Sequence, residues 1–218
     1  MSKSEVEQAH AVIVEQMKSH RLVPVIVLDR EDDAAPLADA LIAGGLPVAE
    51  VTMRTSAALA SMREISKYPE VLLGAGTVLT ADQVDMAVEA GAGYIICPGM
   101  HRSVIERCLE LGVMVIPGAI TPSDIALAMD YGLSHVKFFP AEAFGGAKTL
   151  KAMAAPYQDM KFVPTGGIHA GNVSDYLAIS SVTACGGSWM VDRSLVNAGK
   201  FDEIQTLVSE AVQLVKLG

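Results

Sequence analysis

Lys137 stands in HVKFFPAE, residues 135–142, and Glu50 in PVAEVTMRT, residues 47–55; each is a charged group inside a run of apolar, β-favouring residues. Charged side chains are rarely tolerated in a core without a partner or a task. A lysine withdrawn from water loses part of what stabilises its ammonium form, which frees the amine to attack a carbonyl. A carboxylate beside it pulls the other way, yet it is placed to move protons once an imine has formed. The two together therefore suit Schiff-base chemistry with acid–base assistance. The competing readings are a buried ion pair that serves packing alone, or a lysine stem crossing apolar surface to reach water.

A second chemistry is suggested by glycine pairs. PTGGI at 164–168 holds Gly166 and Gly167, and CGGSW at 185–189 holds Gly186 and Gly187 followed by Ser188. One such pair is ordinary turn chemistry. Two on adjacent loops predict a phosphate site built from backbone N–H groups, with the Ser188 hydroxyl added. A third pair, Gly145–Gly146, reads as a helix start. Cys97 and Cys185 have no histidine placed near them by sequence logic and read as small core hydrophobes. His135 reads as a hydrogen-bonded core histidine. The five histidines show no HxH or HExxH spacing and the three cysteines no CxxC, so neither metal nor cofactor is predicted.

These residues must be positioned by something, and the chain alternates short β-favouring runs with segments long enough for a covering helix. The runs are 23–28, 47–52, 71–75, 94–98, 113–117, 135–139, 161–165 and 182–186. Several are preceded by glycine, as in ELGVMVIPG and DYGLSHVKF, where a helix C-cap would require it. Eight βα units with no long linker and no shift in composition predict an α/β protein. The architecture expected is a (β/α)8 TIM barrel with an extra N-terminal helix over about 4–19, one domain spanning residues 1–218.

In such a barrel the chemistry sits at the C-terminal ends of the strands. Side chains alternate along a strand, so His135, Lys137 and Phe139 share one face and the apolar Val136 and Phe138 the other, which should meet the helices. Lys137 then points into the lumen. The same parity groups Val48, Glu50, Thr52 and Arg54, so a carboxylate and a guanidinium are expected to enter the lumen together. Thr77 ends VLLGAGT and Thr165 ends the inward set of KFVPT, whereas Lys161 lies at the start of its run, the stability end.

Composition narrows the classes. The 218-residue chain is 51% hydrophobic with a net charge of −9, acidic enough to repel a phosphate backbone, so nucleic acid is not expected as a partner. Nothing reads as a membrane span or a signal peptide. A reducing, cytoplasmic location fits the unpaired cysteines.

The ordered motifs EVTMRT at 50–55, GAGT at 74–77, KFFPAE at 137–142, PTGGI at 164–168 and GGSW at 186–189 resemble 2-keto-3-deoxy-6-phosphogluconate (KDPG) aldolase and its 4-hydroxy-2-oxoglutarate (KHG) aldolase relatives. The resemblance runs in collinear order from about residue 20. It implies a class I aldolase, usually a cytoplasmic homotrimer, that cleaves a phosphorylated keto acid to pyruvate and glyceraldehyde 3-phosphate. By the same resemblance Lys137 is the Schiff-base lysine and Glu50 the general acid and base. Arg54 and Thr77 hold the pyruvate end, and Thr165 and Pro98 contact substrate. Phe139 walls the imine, and Gly166, Gly167, Gly186, Gly187 and Ser188 bind phosphate. Two positions depart from the family pattern: Val27 stands where some relatives have arginine, with Arg30 displaced into the next loop, and Phe144 stands where others have a smaller or polar residue. A phosphosugar isomerase or epimerase on the same architecture is the alternative; it would need no lysine imine. A phosphometabolite-binding protein without catalysis is a third reading.

Overall fold

The computed structural model describes residues 3–216. In chain order the elements are α1 (Lys3–His20), β1 (Leu22–Ile26), α2 (Ala34–Ala43), β2 (Val48–Thr52), α3 (Ala58–Ile65), β3 (Leu72–Gly76), α4 (Ala81–Glu89) and β4 (Tyr94–Ile96). They continue as α5 (Arg102–Leu111), β5 (Met114–Ile116), α6 (Pro122–Asp130), β6 (His135–Val136), α7 (Gly146–Ala154), β7 (Lys161–Phe162), α8 (Val173–Leu177), β8 (Cys185–Gly187), α9 (Arg193–Asn197) and α10 (Phe201–Lys216).

The βα alternation gives parallel pairing throughout. Every residue of β2 and β3 is buried, as expected of strands covered on both faces. Local signals set the helix ends. Thr121 caps α6 with a reciprocal Thr121–Asp124 box and Pro122 just inside it. Gly112 closes α5 in the left-handed conformation at φ 68°, the predicted glycine before a strand.

The expected unbroken ladder of eight strands is not what forms. Six strands pair in the order β5-β4-β3-β2-β1-β8, and β6 pairs with β7 as a separate two-stranded sheet. Isolated bridges stand at the two seams: Gly118 with Lys137 between β5 and β6, and Phe162 with Val182 and Thr165 with Gly186 between β7 and β8. Pro117 and Pro164 sit at these edges without an N–H to donate, so regular pairing stops there. Their carbonyls still accept, from Lys137 at 2.8 Å and from Gly186 at 2.8 Å.

Helix α1 runs past the N-terminal ends of the strands. His10 Nε2 lies 3.2 Å from the carbonyl of Gly112, just before β5, and Met17 is fully buried next to the start of β1. Arg21 then ties this end to the last helices, donating to the carbonyls of Val215 at 2.8 Å and Leu177 at 3.3 Å. This end carries packing, which leaves the opposite end for chemistry.

Candidate active site

Lys137 is held at both of its backbone polar groups. Its N–H donates to Pro117 at 2.8 Å and its carbonyl accepts from Ala119 at 2.8 Å, while the flanking residues bond to β7 through Phe138 N–H to Val163 at 3.2 Å and Val163 N–H to Val136 at 2.9 Å. Alternate residues therefore bond to opposite neighbours, and the seam fixes the backbone from which the amine projects. Val136 and Phe138 are fully buried. The Lys137 side chain is only 7% exposed, and its Nζ lies 3.2 Å from Glu50 Oε1, whose side chain is 1% exposed. Nζ also stands 5.2 Å over the Phe139 ring, so the inward placement of Lys137 and Phe139 is observed.

The second carboxylate oxygen of Glu50, Oε2, is buried with no hydrogen-bond partner. Leaving such an acceptor unmade costs about 1–3 kcal/mol. A group in that state calls for an explanation, and a free acceptor beside a buried amine is what proton transfer during imine chemistry requires.

Space for Glu50 is created by its neighbour. β3 offers only glycines to this part of the lumen. A Cβ on Gly76 would fall 2.2 Å from Glu50 Oε1, and one on Gly74 would fall 2.2 Å from the Tyr94 ring. Gly74 is in register with Glu50 on one side and Tyr94 on the other. The fully buried Tyr94 thus fills the gap below Glu50, its hydroxyl donating to the Ala49 carbonyl at 3.1 Å. Burial, and next the Glu50 charge, hold its phenol well above the usual range. Neither the lumen role of Gly76 nor that of Tyr94 was read from the sequence, although GAGT drew notice for its threonine; a strand with glycine at alternate positions was the available signal.

Thr77 follows Gly76 at φ 58°, a left-handed conformation that is a genuine outlier for a β-branched residue. Strain of this kind gathers at functional sites and persists only where the surroundings enforce it. Arg54 is placed by a turn and not by a strand. β2 ends at Thr52, so strand alternation does not reach Arg54, which lies exposed in the turn at the C-terminal end of β2. No hydrogen bond or ion pair ties it to another described residue. Pro98 is half-buried past the end of β4, with its carbonyl packed where a Cβ on Gly118 would come within 2.1 Å.

The glycine pairs meet in one cavity of about 140 Å³, lined by Val25, Phe139, Thr165, Gly166, Gly167, Ile168, Gly186, Gly187 and Ser188. Gly166 and Gly167 adopt φ 101° and 78°, open only to glycine without strain. The carbonyls of Thr165 and Gly166 accept from the N–H groups of Ala141 at 2.8 Å and Glu142 at 3.0 Å, and that of Gly167 accepts from Asn172 Nδ2 at 3.1 Å. In a trans peptide the N–H points opposite the carbonyl, so these bonds turn the Gly166 and Gly167 N–H groups away from the loop after β6. Neither donates to a backbone carbonyl. Thr165 is packed against Gly186, where a Cβ would meet its Oγ1 at 2.3 Å. Phe139 lines this cavity and lies under Lys137, which joins the two subsites.

The remaining candidates sort by burial. Cys97, Cys108 and Cys185 are buried and unpaired. Burial pushes the Cys97 thiol up to about 11 and the Cys108 thiol up to about 12, and raises Cys185 too, so all three are poor nucleophiles. His135 bonds through Nδ1 to Ser134 Oγ at 2.9 Å, but its buried Nε2 has no partner. Val27 is half-buried, and from β1 it is Val25 that reaches the cavity. Arg30 is engaged by Asp33 at 2.8 Å. Phe144 is 51% exposed and does not line the cavity. Among the described residues, no three His, Cys, Asp or Glu side chains are grouped to hold a metal, and no helix is long and apolar enough to cross a membrane.

Comparison with known proteins gives a consistent picture. The family model described as KDPG and KHG aldolase matches residues 13–207. The KHG/KDPG aldolase of Escherichia coli is 47% identical over 90% of this chain and 92% of its own. The 2-keto-3-deoxy-6-phosphogluconate aldolase of Zymomonas mobilis, solved with 3-phosphoglycerate, superposes with a TM-score of 0.86 at 39% identity, covering 92% of this chain and 94% of the other. The KDPG aldolase of Legionella pneumophila, with pyruvate captured as a covalent carbinolamine, superposes with a TM-score of 0.88 at 37% identity, covering 91% and 97%.

Proposed function

The chain belongs to the KDPG and KHG aldolase family, and from that premise we propose that it is a class I aldolase cleaving 2-keto-3-deoxy-6-phosphogluconate to pyruvate and glyceraldehyde 3-phosphate, with Lys137 as the imine-forming amine. The observation that carries the assignment of residues is the buried contact of Lys137 Nζ with Glu50 Oε1 at 3.2 Å, beside an Oε2 with no partner.

The Lys137 amine adds to the C2 carbonyl, and Glu50 supplies the proton that lets the carbinolamine oxygen leave as water. The resulting iminium draws the electron pair of the C3–C4 bond toward itself. As that bond breaks, the 4-hydroxyl proton passes to the free Oε2 of Glu50, the aldehyde departs and an enamine of pyruvate remains on Lys137. Protonation at C3 and hydrolysis release pyruvate and restore the amine. The exposed, unengaged Arg54 suits a bidentate grip on the substrate carboxylate, and Thr77 supports the same end. Thr165 and Pro98 contact substrate, Phe139 shields the imine, and the Gly166, Gly167, Gly186, Gly187 and Ser188 backbone takes the phosphate. The same lysine and carboxylate serve 4-hydroxy-2-oxoglutarate, which yields pyruvate and glyoxylate.

Reading the seams as closed by the Lys137, Phe162, Thr183 and Gly186 backbone bonds, we take the fold to be a (β/α)8 barrel in one domain with an added N-terminal helix. Its subunits form a homotrimer. Support comes from exposed Leu79, Met86, Leu109, Leu111 and Met129, large apolar residues carried by or next to α4, α5 and α6. Three buried free thiols support a cytoplasmic location.

Borohydride reduction with pyruvate tests the central assignment. A stable mass is expected on the peptide containing Lys137; a label on another lysine, or none, defeats it.

A further inference from the structure

A concavity of about 750 Å³ lies away from the aldolase chemistry, between α7 and α8 at the N-terminal ends of β7 and β8. Its size is that of a small-metabolite site. Lys148 and Lys151 come from α7, one turn apart on one face, and Lys161 begins β7. Asp175 is the one carboxylate in the wall. In a chain of net charge −9, three lysines against one acid make a local field of the opposite sign.

None of the three lysines has an ion-pair partner among the described residues. Lys161 is half-buried, so its charge is poorly screened: it is felt by His135, its partner across the β6–β7 pair, whose imidazole is held down to about 4 by burial and then by that charge. Ser181, 9% exposed in the same wall, has an Oγ without a hydrogen-bond partner. A half-buried cation with no partner, flanked by two exposed lysines in the wall of one groove, asks for an acceptor-rich anion.

We propose that this groove is a second anion site that binds a phosphate-bearing metabolite through Lys148, Lys151 and Lys161. The inference is independent of the aldolase reading. Both sites sit on β7 and β8, one at each end.

Amide NMR of the full-length isotope-labelled protein, titrated with inorganic pyrophosphate at low salt, separates the two ends. Shifts are expected at Ala178 to Ser181, with a second set at Gly166, Gly167 and Ser188. In K148E/K151E, exposed changes outside the catalytic machinery, the groove shifts should weaken by about tenfold or more, as reversal of two charges implies. The glycine-loop shifts and turnover should stay as in the wild type. A titration confined to the glycine loops overturns the proposal, as does a groove response unchanged by the double reversal.

Discussion

Replacing Gly76 by alanine tests the geometry of the site without touching a reactive group. The new Cβ would lie 2.2 Å from Glu50 Oε1, 2.7 Å from Cγ and 2.8 Å from Cδ. Ordinary contact needs about 3.5 Å, so the carboxylate must retreat by about 1 Å. The strand conformation of Gly76 is one alanine can adopt, which recovers up to about 1 kcal/mol through the unfolded chain, against about 1–3 kcal/mol for overpacking. The protein should therefore fold. Catalysis should suffer far more, because Oε1 is the atom 3.2 Å from Lys137 Nζ, and a misplacement near 1 Å costs about a hundredfold. Pyruvate release coupled to NADH oxidation reads kcat, and borohydride trapping reads whether Lys137 still forms an imine. Expected is a drop of about a hundredfold in kcat with labelling of Lys137 retained on long exposure. A folded G76A variant with wild-type kcat would refute the argument that the free carboxylate position governs proton transfer.

Other outcomes follow from the same geometry. Glu50→Gln should bind substrate yet lose roughly a hundredfold or more in turnover, read in the same coupled assay. Gly167→Ala meets both φ 78° and a Cβ 2.7 Å from the Glu142 side chain; it should raise KM for the phosphorylated substrate by about tenfold and leave 4-hydroxy-2-oxoglutarate little changed. His135 is held near 4 in the fold against 6.5 when unfolded, so the unfolded chain takes up the proton first: stability is intact above about pH 6.5 and falls by up to about 3 kcal/mol as pH drops to about 4. Urea midpoints for wild type and His135→Leu across that window should diverge, the variant showing the shallower slope. Met86→Lys with Leu109→Lys should lower the sedimenting mass; an unchanged assembly would remove this face from the subunit contact.

What was legible in the sequence was whatever depends on alternation and local turns. The parity of HVKFFPAE put Lys137 inward, and the structure holds it beside Glu50 and over Phe139. The two glycine pairs converge on one cavity because Gly166 and Gly167 follow β7 while Gly186 and Gly187 end β8 itself, rather than lying in the loop expected for them, both at the C-terminal ends of their strands. Parity gives no guide at Arg54, where the strand has already stopped, since alternation is a property of extended backbone and lapses in a turn. It also could not foresee that glycines at 74 and 76 give their volume to Tyr94 and Glu50, because an empty position gains meaning only from a neighbour on another strand. The seams were equally hidden: prolines mark where a ladder stops, not which strands it parts.

Those seams, each closed by backbone hydrogen bonds, run through the candidate site. Lys137 follows β6 and bonds across one seam to Pro117 and Ala119, Gly166 and Gly167 follow β7, and Glu50 on β2 and Gly186 and Gly187 on β8 belong to the six-stranded sheet. On the roles proposed above, a keto acid joined to Lys137 and held at its phosphate by both glycine pairs would bridge the two seams. Cleavage between C3 and C4 would remove that bridge as the products leave.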